Sequence, residues 1–292
     1  MRLDQLFRSE KTVISHEIFP PKIDTPLETI LNKLGRFASM HPDFISVTYG
    51  AGGSGKGRTI ELAANIRKEQ GVESMAHFTC VGHSMEQIDH MISELKSSGI
   101  ENILALRGDP PIGQPDFDFS KNVFRYASDL IAYIRSKAEF CIAAAAYVEG
   151  HIDAKRRSED LRNLKTKVDS GVDFLVTQLF FDNRMFYDFL EKAQTIGIRV
   201  PVIAGIMPVF RSDQIKRIAS LCGAALPANL VMMMDKYQDR PEELKKAGIE
   251  FAAAQIKDLV ENGVQGVHLL TMNRPDETEE ILKLSGLWRD VG

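Results

Sequence analysis

The chain has little cysteine. Its 292 residues carry three, Cys80, Cys141 and Cys222, far apart in sequence. An odd, scattered set supports no disulfide framework, zinc cage or iron–sulfur cluster. The thiols read as reduced core groups of a cytoplasmic protein, with no metal site. Long apolar runs are also missing. The longest, FCIAAAAYV from Phe140 to Val148, falls far short of the ~20 residues that cross a bilayer. The opening MRLDQLFRSEK alternates charged with apolar residues, so it does not read as a signal peptide. Neither sign of charge dominates: 36 Lys and Arg stand against 40 Asp and Glu, a formal net charge of -4, which argues against a dedicated nucleic-acid binder. There is no linker, low-complexity segment or short repeat, so residues 1–292 read as a single catalytic domain. Finally, no predicted strand interior holds a lysine, as a Schiff-base lyase or aldolase would require; Lys22 lies beyond the proline pair.

What the chain does have is regular alternation. Eight short apolar runs, TVISHEIF, DFISVTYG, SMAHFTCV, NILALRGD, FCIAAAAYV, FLVTQLFFD, VPVIAGIMP and GVHLLTMN, are separated by longer segments of helical period. In one of these, Met85, Ile88, Met91, Ile92 and Leu95 share a face, Ser84 marks the start and Gly99 the stop. Thr25 before Pro26 reads as another helix start. Alternating β and α elements predict a parallel sheet with helices outside it, and eight units match an α/β fold of (β/α)8 TIM barrel type. Periodicity alone leaves a doubly wound open sheet as the rival. After the seventh run the pattern predicts a helix near Gln214–Leu221, a proline-containing break at Leu226–Asn229, and another helix from about Glu242 to Asn262. This is an extra helix and extended loop after strand 7.

In such a barrel, chemistry belongs at the carboxyl ends of the strands, and several of these ends are polar. The first run carries Glu17, the second ends in Thr48-Tyr49, the third contains His77 and the fourth ends in Arg107-Gly108-Asp109. The fifth ends in Tyr147 and Glu149 with His151 beyond, the sixth holds Gln178, and the eighth ends in Asn273-Arg274. Each has a structural reading of its own: a lone strand histidine is usually a satisfied core residue, and Gln178 can bond a neighbouring backbone group. It is their convergence on one mouth that favours a site. Two other motifs fail. GAGGSG, Gly50–Gly55, fits a dinucleotide fingerprint, but the next strand ends in Cys80-Val81 without the acid that would meet a ribose. The same residues fit a phosphate loop as far as Lys56, where Gly57 replaces the required Ser or Thr. The segment reads instead as a glycine-rich βα loop over the mouth. Lys155-Arg156-Arg157 reads as a solvated helix start.

HEIFPPK, ISVTYGAGGS, HFTCVGHS, NILALRGDPP, AAYVEGHIDA, TQLFFDN, AGIMPV and TMNRP follow one another in this order. Together they resemble the methylenetetrahydrofolate reductases, from about residue 12 to the C-terminus, and among these the bacterial form that lacks the regulatory domain of the animal enzymes. The resemblance implies a (β/α)8 barrel with FAD held noncovalently at its mouth. It implies ping-pong chemistry in which NAD(P)H reduces the flavin and 5,10-methylenetetrahydrofolate is then reduced to 5-methyltetrahydrofolate. It makes Glu17 the general acid and sets Asp109 near flavin and pterin. It carries FAD contacts onto Thr48, Tyr49, Ala51, His77, Leu106, Arg107, Gly108, Asp109, Tyr126, Ala145, Tyr147, His151, Asp160 and Lys167, and substrate contacts onto Gln178, Gln214 and Arg274. Ile218 stands where the family has a Phe that packs on the folate and the nicotinamide nucleotide. Homodimers or homotetramers occur in the family, as do members served by an iron–sulfur partner subunit.

The expected chemistry explains the residue types. The substrate must open to an iminium and gain a proton, which needs an acid still protonated near pH 7, whereas an exposed Glu titrates near ~4.3. Ile18, Phe19 and the prolines are expected to surround Glu17 with apolar groups and raise its pKa. An ionised Asp109 would stabilise the cationic iminium. Gln178 can both donate and accept at a pterin edge, Arg274 suits the carboxylates of a glutamate tail, and Lys167 with the backbone around Gly50 suits a diphosphate. A flavin-free barrel lyase and a non-catalytic pterin- or flavin-binding subunit are the rivals from other classes.

Overall fold

Each of the eight apolar runs forms a strand, because β-branched and aromatic residues alternating with small ones suit a sheet buried on both faces. In the computed structural model these are β1 Val13–Ile18, β2 Phe44–Val47, β3 Glu73–Thr79, β4 Asn102–Leu106, β5 Cys141–Ala146, β6 Phe174–Thr177, β7 Val202–Ile206 and β8 Gly266–Leu270. The structure describes residues 1–21, 24–49, 57–110, 113–114 and 117–289. The glycine-rich segment 50–56 therefore lies outside the described residues. Consecutive strands pair in parallel, and β8 returns to β1 with Val13 opposite Gly266 and Glu17 opposite Leu270. That last pairing closes the barrel and rules out the open sheet.

Strand alternation divides the apolar residues between two cores. Ile14, Ile18, Ile45, Val47, Ala76 and Phe78 pack outward with the helices. Val13, Phe44, Met75, Cys141, Phe174 and Ile203 fill the lower interior of the barrel. A 3-10 helix, Leu3–Arg8, closes this end, with Leu3 fully buried and the Phe7 ring 5.1 Å from that of Phe174. Cys80 and Cys141 are buried free thiols, pushed up to about 12 chiefly by burial, and Cys222 is half-buried. Among the described residues no helix is long and apolar enough to cross a membrane.

The helix signals hold where side chains satisfy the backbone. α3, Met85–Ser97, starts with a reciprocal capping box between Ser84 and Gln87 and ends before Gly99 at φ 74°. α1, Glu28–Ala38, begins later than Thr25-Pro26 predicts. The Thr25 carbonyl is taken by Arg58 and that of Pro26 by Thr29, so this stretch is a turn ahead of the helix. The remaining helices between strands are α2 Arg58–Glu69, α4 Ala127–Lys137, α5 Arg157–Asp169 and α6 Asn183–Thr195. After β7 come three helices where two were expected: α7 Ser212–Cys222, α8 Ala228–Lys236 and α9 Pro241–Glu261. Pro227 precedes the first turn of α8, where its fixed φ is tolerated, and Leu230 and Met234 bury one stripe of that helix. α9 passes so close to the β7 exit that a Cβ on Gly248 would lie 1.7 Å from the Val209 carbonyl oxygen. α10, Pro275–Ser285, completes the ring.

Two equivalent clamps tie the lower rim. Asp43, just before β2, accepts from the Ile14 amide at 2.7 Å and from Arg289 at 2.7 Å, while Arg289 also donates to the carbonyls of Thr12 and His41. Asp173, just before β6, accepts from the Ile142 amide at 2.7 Å and from Arg135 at 2.5 Å, while Arg135 also donates to the carbonyls of Phe140 and Gly171. The devices match position by position, down to a left-handed residue two before each aspartate, His41 at φ 50° and Gly171 at φ 115°. Each aspartate is mostly buried, so truncating it strands an amide and a guanidinium. Asp43→Ala and Asp173→Ala should each cost roughly 3 kcal/mol. Asp169→Ala, in an exposed helical pair with Lys165, should stay within about 0.5 kcal/mol. Urea midpoints at constant slope measure this, and equal small shifts for all three would remove the clamps from the stability argument.

Candidate active site

Above the apolar plug, the barrel interior turns polar. Inward positions on three strands, Ser15 and Glu17 of β1, His77 of β3 and His268 of β8, form one cluster with Ser46 of β2. The Glu17 Oε2 atom lies 3.4 Å from His268 Nε2 and 3.5 Å from His77 Nε2. His268 Nδ1 is 2.7 Å from the Ser15 hydroxyl, and Ser46 Oγ is 3.4 Å from His268 Nε2. The tautomer that serves this network accepts from Ser15 at Nδ1 and donates from Nε2 toward Glu17. His268 is 1% exposed and Glu17 21%.

This corrects the expected environment of Glu17. Ile18 is buried but faces the outer core, and Phe19 is 39% exposed. The carboxylate meets two imidazoles rather than an apolar wall. Burial pushes its pKa up, but the His268 hydrogen bond and the charge interactions with His77 and His268 outweigh that, so the pKa falls below the ordinary value. His77 is itself driven down to about 4 by burial, with Glu17 opposing and His268 adding to the shift. At neutral pH the protein by itself thus holds an ionised Glu17 beside a neutral His77. Composition around residue 17 could not reveal this, because His268 arrives from the other end of the chain. The available signal was alternation: in GVHLL, paired in register with β1, His268 is an inward position.

The β8 exit also grips the Glu17 backbone. Thr271 donates from its amide and its hydroxyl to the Glu17 carbonyl, at 3.2 and 2.7 Å. Asn273 accepts from the Phe19 amide at 3.1 Å and donates to the Phe19 carbonyl at 2.8 Å.

On the opposite side of the mouth, Lys167 of α5 reaches back to donate to the Ala145 carbonyl at 2.6 Å. Burial pushes its pKa down to about 8, with Asp160 opposing and Arg107 adding to the shift. Burial raises the Asp160 pKa, against a backbone hydrogen bond at His151 and the nearby Lys167. The Tyr147 and His151 rings meet edge-on at 4.6 Å, and Tyr147 is pushed up to about 12, mainly by burial. Arg107 pairs with Asp153 at 3.2 Å and lies 4.1 Å over the Phe119 ring. Gly108 turns at φ 90°, where a Cβ would come within 2.5 Å of Val81, and this turn leaves Asp109 exposed. The Leu106 carbonyl accepts from the Cys80 amide, continuing the β3–β4 pairing, and the Leu106 side chain packs against the interior cluster. His77 Nε2 and Thr79 Oγ1 are buried without a hydrogen-bond partner among the described residues.

Other named residues fall elsewhere. The Tyr49 hydroxyl turns away from the mouth to His83 at 2.9 Å, beneath α3, so only its backbone stays at the strand end. Thr48 is anchored through its backbone, its amide on Ile18 and its carbonyl on Thr59. Tyr126 precedes α4, about half exposed, and Ala51 lies outside the described residues. Gln178 folds its Oε1 onto the Leu179 amide at 2.8 Å. Gln214 and Ile218 occupy one face of α7, Ile218 against the apolar cluster beneath it. Arg274 stacks 4.8 Å over Phe210 and bonds Glu277. A cleft of about 270 Å³ lies at the far end, between α6 and α9, and contains none of these residues.

His268→Leu should raise the Glu17 titration midpoint, because it removes the hydrogen bond while burial remains. A carbon-13 carboxyl NMR titration should place the unmodified protein's Glu17 below the ordinary range and the variant's above it. Coincident midpoints would show that His268 does not hold the carboxylate.

Comparison with known proteins closes the description. The sequence model of the family described as methylenetetrahydrofolate reductase matches residues 2–286. The "Methylenetetrahydrofolate reductase (NADH) 1" of Arabidopsis thaliana is 38% identical over 95% of this chain and 49% of its own length. The "5,10-methylenetetrahydrofolate reductase" of Escherichia coli K12 is 35% identical over 94% of this chain and 90% of its own length. The chain thus spans about half the length of its plant relatives and most of the bacterial ones. A solved structure from Clostridium thermocellum, described as binding two copies of 5-methyl-5,6,7,8-tetrahydrofolic acid, superposes with a TM-score of 0.71 over 96% of each chain at 15% identity, a likeness of fold. With its barrel, its strand-end motifs and a match across nearly its whole length, the chain belongs to the methylenetetrahydrofolate reductase family.

Proposed function

We propose that the chain reduces 5,10-methylenetetrahydrofolate to 5-methyltetrahydrofolate with NAD(P)H, in two alternating half-reactions that use FAD. The observation that carries this reading is Glu17, an ionisable carboxyl held between two buried histidines at the carboxyl end of the barrel. His77 Nε2 and Thr79 Oγ1, buried without a hydrogen bond among the described residues and beside the tight Gly108 turn, fit a ligand packed against this wall. Lys167, Arg107 and His151 would hold the anionic part of FAD, and His77 with the Gly108–Asp109 turn its ring. When bound, FAD would supply the hydride storage that links the two half-reactions.

The chain's own residues do the rest. Gln178, freed from the Leu179 amide, can present both donor and acceptor to a pterin. Arg274, exposed at the start of α10, suits the glutamate carboxylates of the folate, and Gln214 borders the same side. Asp109 places negative charge where an iminium would develop. Glu17 must deliver a proton to the nitrogen released when the one-carbon bridge opens. Its remaining 21% exposure is lost once a substrate covers it. The added desolvation raises its pKa, so that the carboxyl takes up a proton as the substrate covers it, while His268 at 3.4 Å holds it in place.

Glu17→Gln tests the acid directly. The yellow protein should still bleach with NAD(P)H, while colour recovery with the folate should slow by about 10²–10⁴-fold. Recovery at the unmodified rate would refute the assignment. A protein that stays colourless after incubation with FAD would point to a flavin-free barrel, and colour that survives both NADH and NADPH but yields to an artificial one-electron donor would point to a partner subunit.

Lys167 gives a pH signature. Its free-protein pKa of about 8 means that it is cationic at pH 7 and loses charge as the pH rises through that value. FAD affinity, measured by quenching of flavin fluorescence, should therefore hold steady below pH 8 and fall above it. Lys167→Met should bind more weakly and show no such break. A break of the same size in the variant would place the titrating group elsewhere.

A further inference from the structure

β1 should fray at its upper end. Its pairing with β2 stops at Ile18, whose carbonyl accepts from Thr48, and two prolines follow Phe19. Prolines supply no amide to continue a ladder. Yet Glu17, the last inward residue of this strand, needs a fixed backbone if its carboxyl is to meet a substrate atom repeatedly at the same place. β8 cannot supply this by ordinary pairing, since the register ends at Glu17 opposite Leu270.

The geometry points to Asn273 as a positioning residue that fixes Glu17 by bracketing the backbone of Phe19. This rests on the reading of Glu17 as proton donor. One side-chain amide accepts from the Phe19 amide at 3.1 Å and donates to the Phe19 carbonyl at 2.8 Å, replacing both ladder bonds that a further β8 residue would have made. The other polar groups of Asn273 are also engaged: its amide donates to Thr271 Oγ1 at 3.2 Å, and its carbonyl accepts from Lys33 at 3.0 Å. With its amide oxygen, one side-chain N–H and both backbone groups used internally, Asn273 acts through the Phe19 backbone. Thr271, tied to the Glu17 carbonyl, makes the same join one step lower.

The backbone supports a special role. Met272 and Asn273 both adopt left-handed conformations, at φ 53° and 55°. Asparagine tolerates this region well and methionine poorly, and such outliers persist where the surroundings over-determine them. The left-handed pair turns the chain back so that the Asn273 side chain faces Phe19. The bracket needs an acceptor and a donor on one short planar group. Aspartate keeps the acceptor and loses the donor, and glycine keeps the conformation and loses both.

Asn273→Gly and Asn273→Asp in the FAD-loaded protein test this, since neither variant is penalised by the left-handed backbone. Amide hydrogen exchange provides a readout apart from activity. Protection at Phe19 should fall at least ~10-fold in Asn273→Gly while Ile45 and Ile142, deep in the barrel wall, stay unchanged. At saturating folate, colour recovery should slow roughly 10–100-fold, with the folate KM within about threefold and bleaching by NAD(P)H unaltered. Asn273→Asp should fall between. Loss of Phe19 protection with recovery unchanged would overturn the proposal by reducing Asn273 to a turn stabiliser. Equal slowing of both half-reactions, or a change confined to KM, would also overturn it, the latter because it would assign the effect to neighbouring Arg274. If the unmodified protein never recovers colour with the folate, the functional reading itself fails, and Phe19 exchange alone decides whether the bracket exists.

Discussion

The candidate site depends on a single seam, the parallel pairing of β1 with β8. Eight hydrophobic strands could form an open sheet, but only closure brings residue 17 beside residue 268. The seam runs from Val13 opposite Gly266 to Glu17 opposite Leu270. At its lower end Gly266 is forced, since a Cβ there would lie 2.6 Å from Ile203 and 3.0 Å from the Val13 carbonyl. A larger residue would push the strands apart and lift His268 away from Glu17. Above, Thr271 and Asn273 continue the join by side chains after the ladder stops. Register is therefore chemistry here: a slip by one residue would turn His268 outward, among the helix-facing isoleucines.

The interior is layered in a way that makes a buried carboxylate tolerable. The lower barrel is apolar, with Phe44, Phe174 and Met75 fully buried beneath the polar cluster. Serines at 15 and 46 then satisfy the imidazole of His268, and the imidazole in turn faces Glu17. An unpaired buried carboxylate would neutralise itself by a raised pKa. Paired with histidines, it keeps its charge. His16, one residue away on the opposite face, shows the contrast. It is fully buried against Phe37, has no hydrogen-bond partner among the described residues, and is pushed down to about 3, chiefly by burial. Two adjacent positions of one strand thus hold a histidine locked neutral and a carboxylate able to titrate. The side of the sheet each faces decides which.

Much of this was legible in the sequence because it is local. Strand existence, the Ser84 cap, the Gly99 stop and the polar strand ends depend on residues close together in the chain. The extra helix α8 was not, because Pro227 looks like a break when it is in fact a start. The partners of Glu17 were not, because the apolar neighbours Ile18 and Phe19 face away from it while the residues that set its charge, His77 and His268, lie about 60 and 250 positions on. Tyr49 illustrates the same limit: it sits at a strand end, yet alternation and the pocket beside His83 turn its hydroxyl under α3. Nor does the chain show a short repeat. The repetition is visible only as Asp-Phe at 43–44 and at 173–174, each opening an even-numbered strand.

That repetition separates the roles of the two ends of the barrel. The clamps at Asp43 and Asp173 stand four strands apart, at β1–β2 and at β5–β6, with matching amide and guanidinium donors, to which Arg2 adds a second guanidinium at Asp173. Such a two-fold device suits closure, because it fixes opposite sides of the lower rim at equal height. The upper rim has lost any such symmetry. The residues facing Glu17 across the seam come from β3 and β8, whereas Lys167, Tyr147 and His151 gather beyond β5. The upper rim instead holds left-handed Met272 and Asn273, a His77 Nε2 without a hydrogen bond among the described residues, and Lys167, whose pKa burial pushes down to about 8. Left-handed backbone and unmatched polar atoms are not confined to that end, since His41 at φ 50° belongs to one clamp and Ser74 Oγ at the foot of β3 lacks a hydrogen bond among the described residues. What distinguishes the upper end is that polar side chains from β1, β3 and β8 meet in its interior.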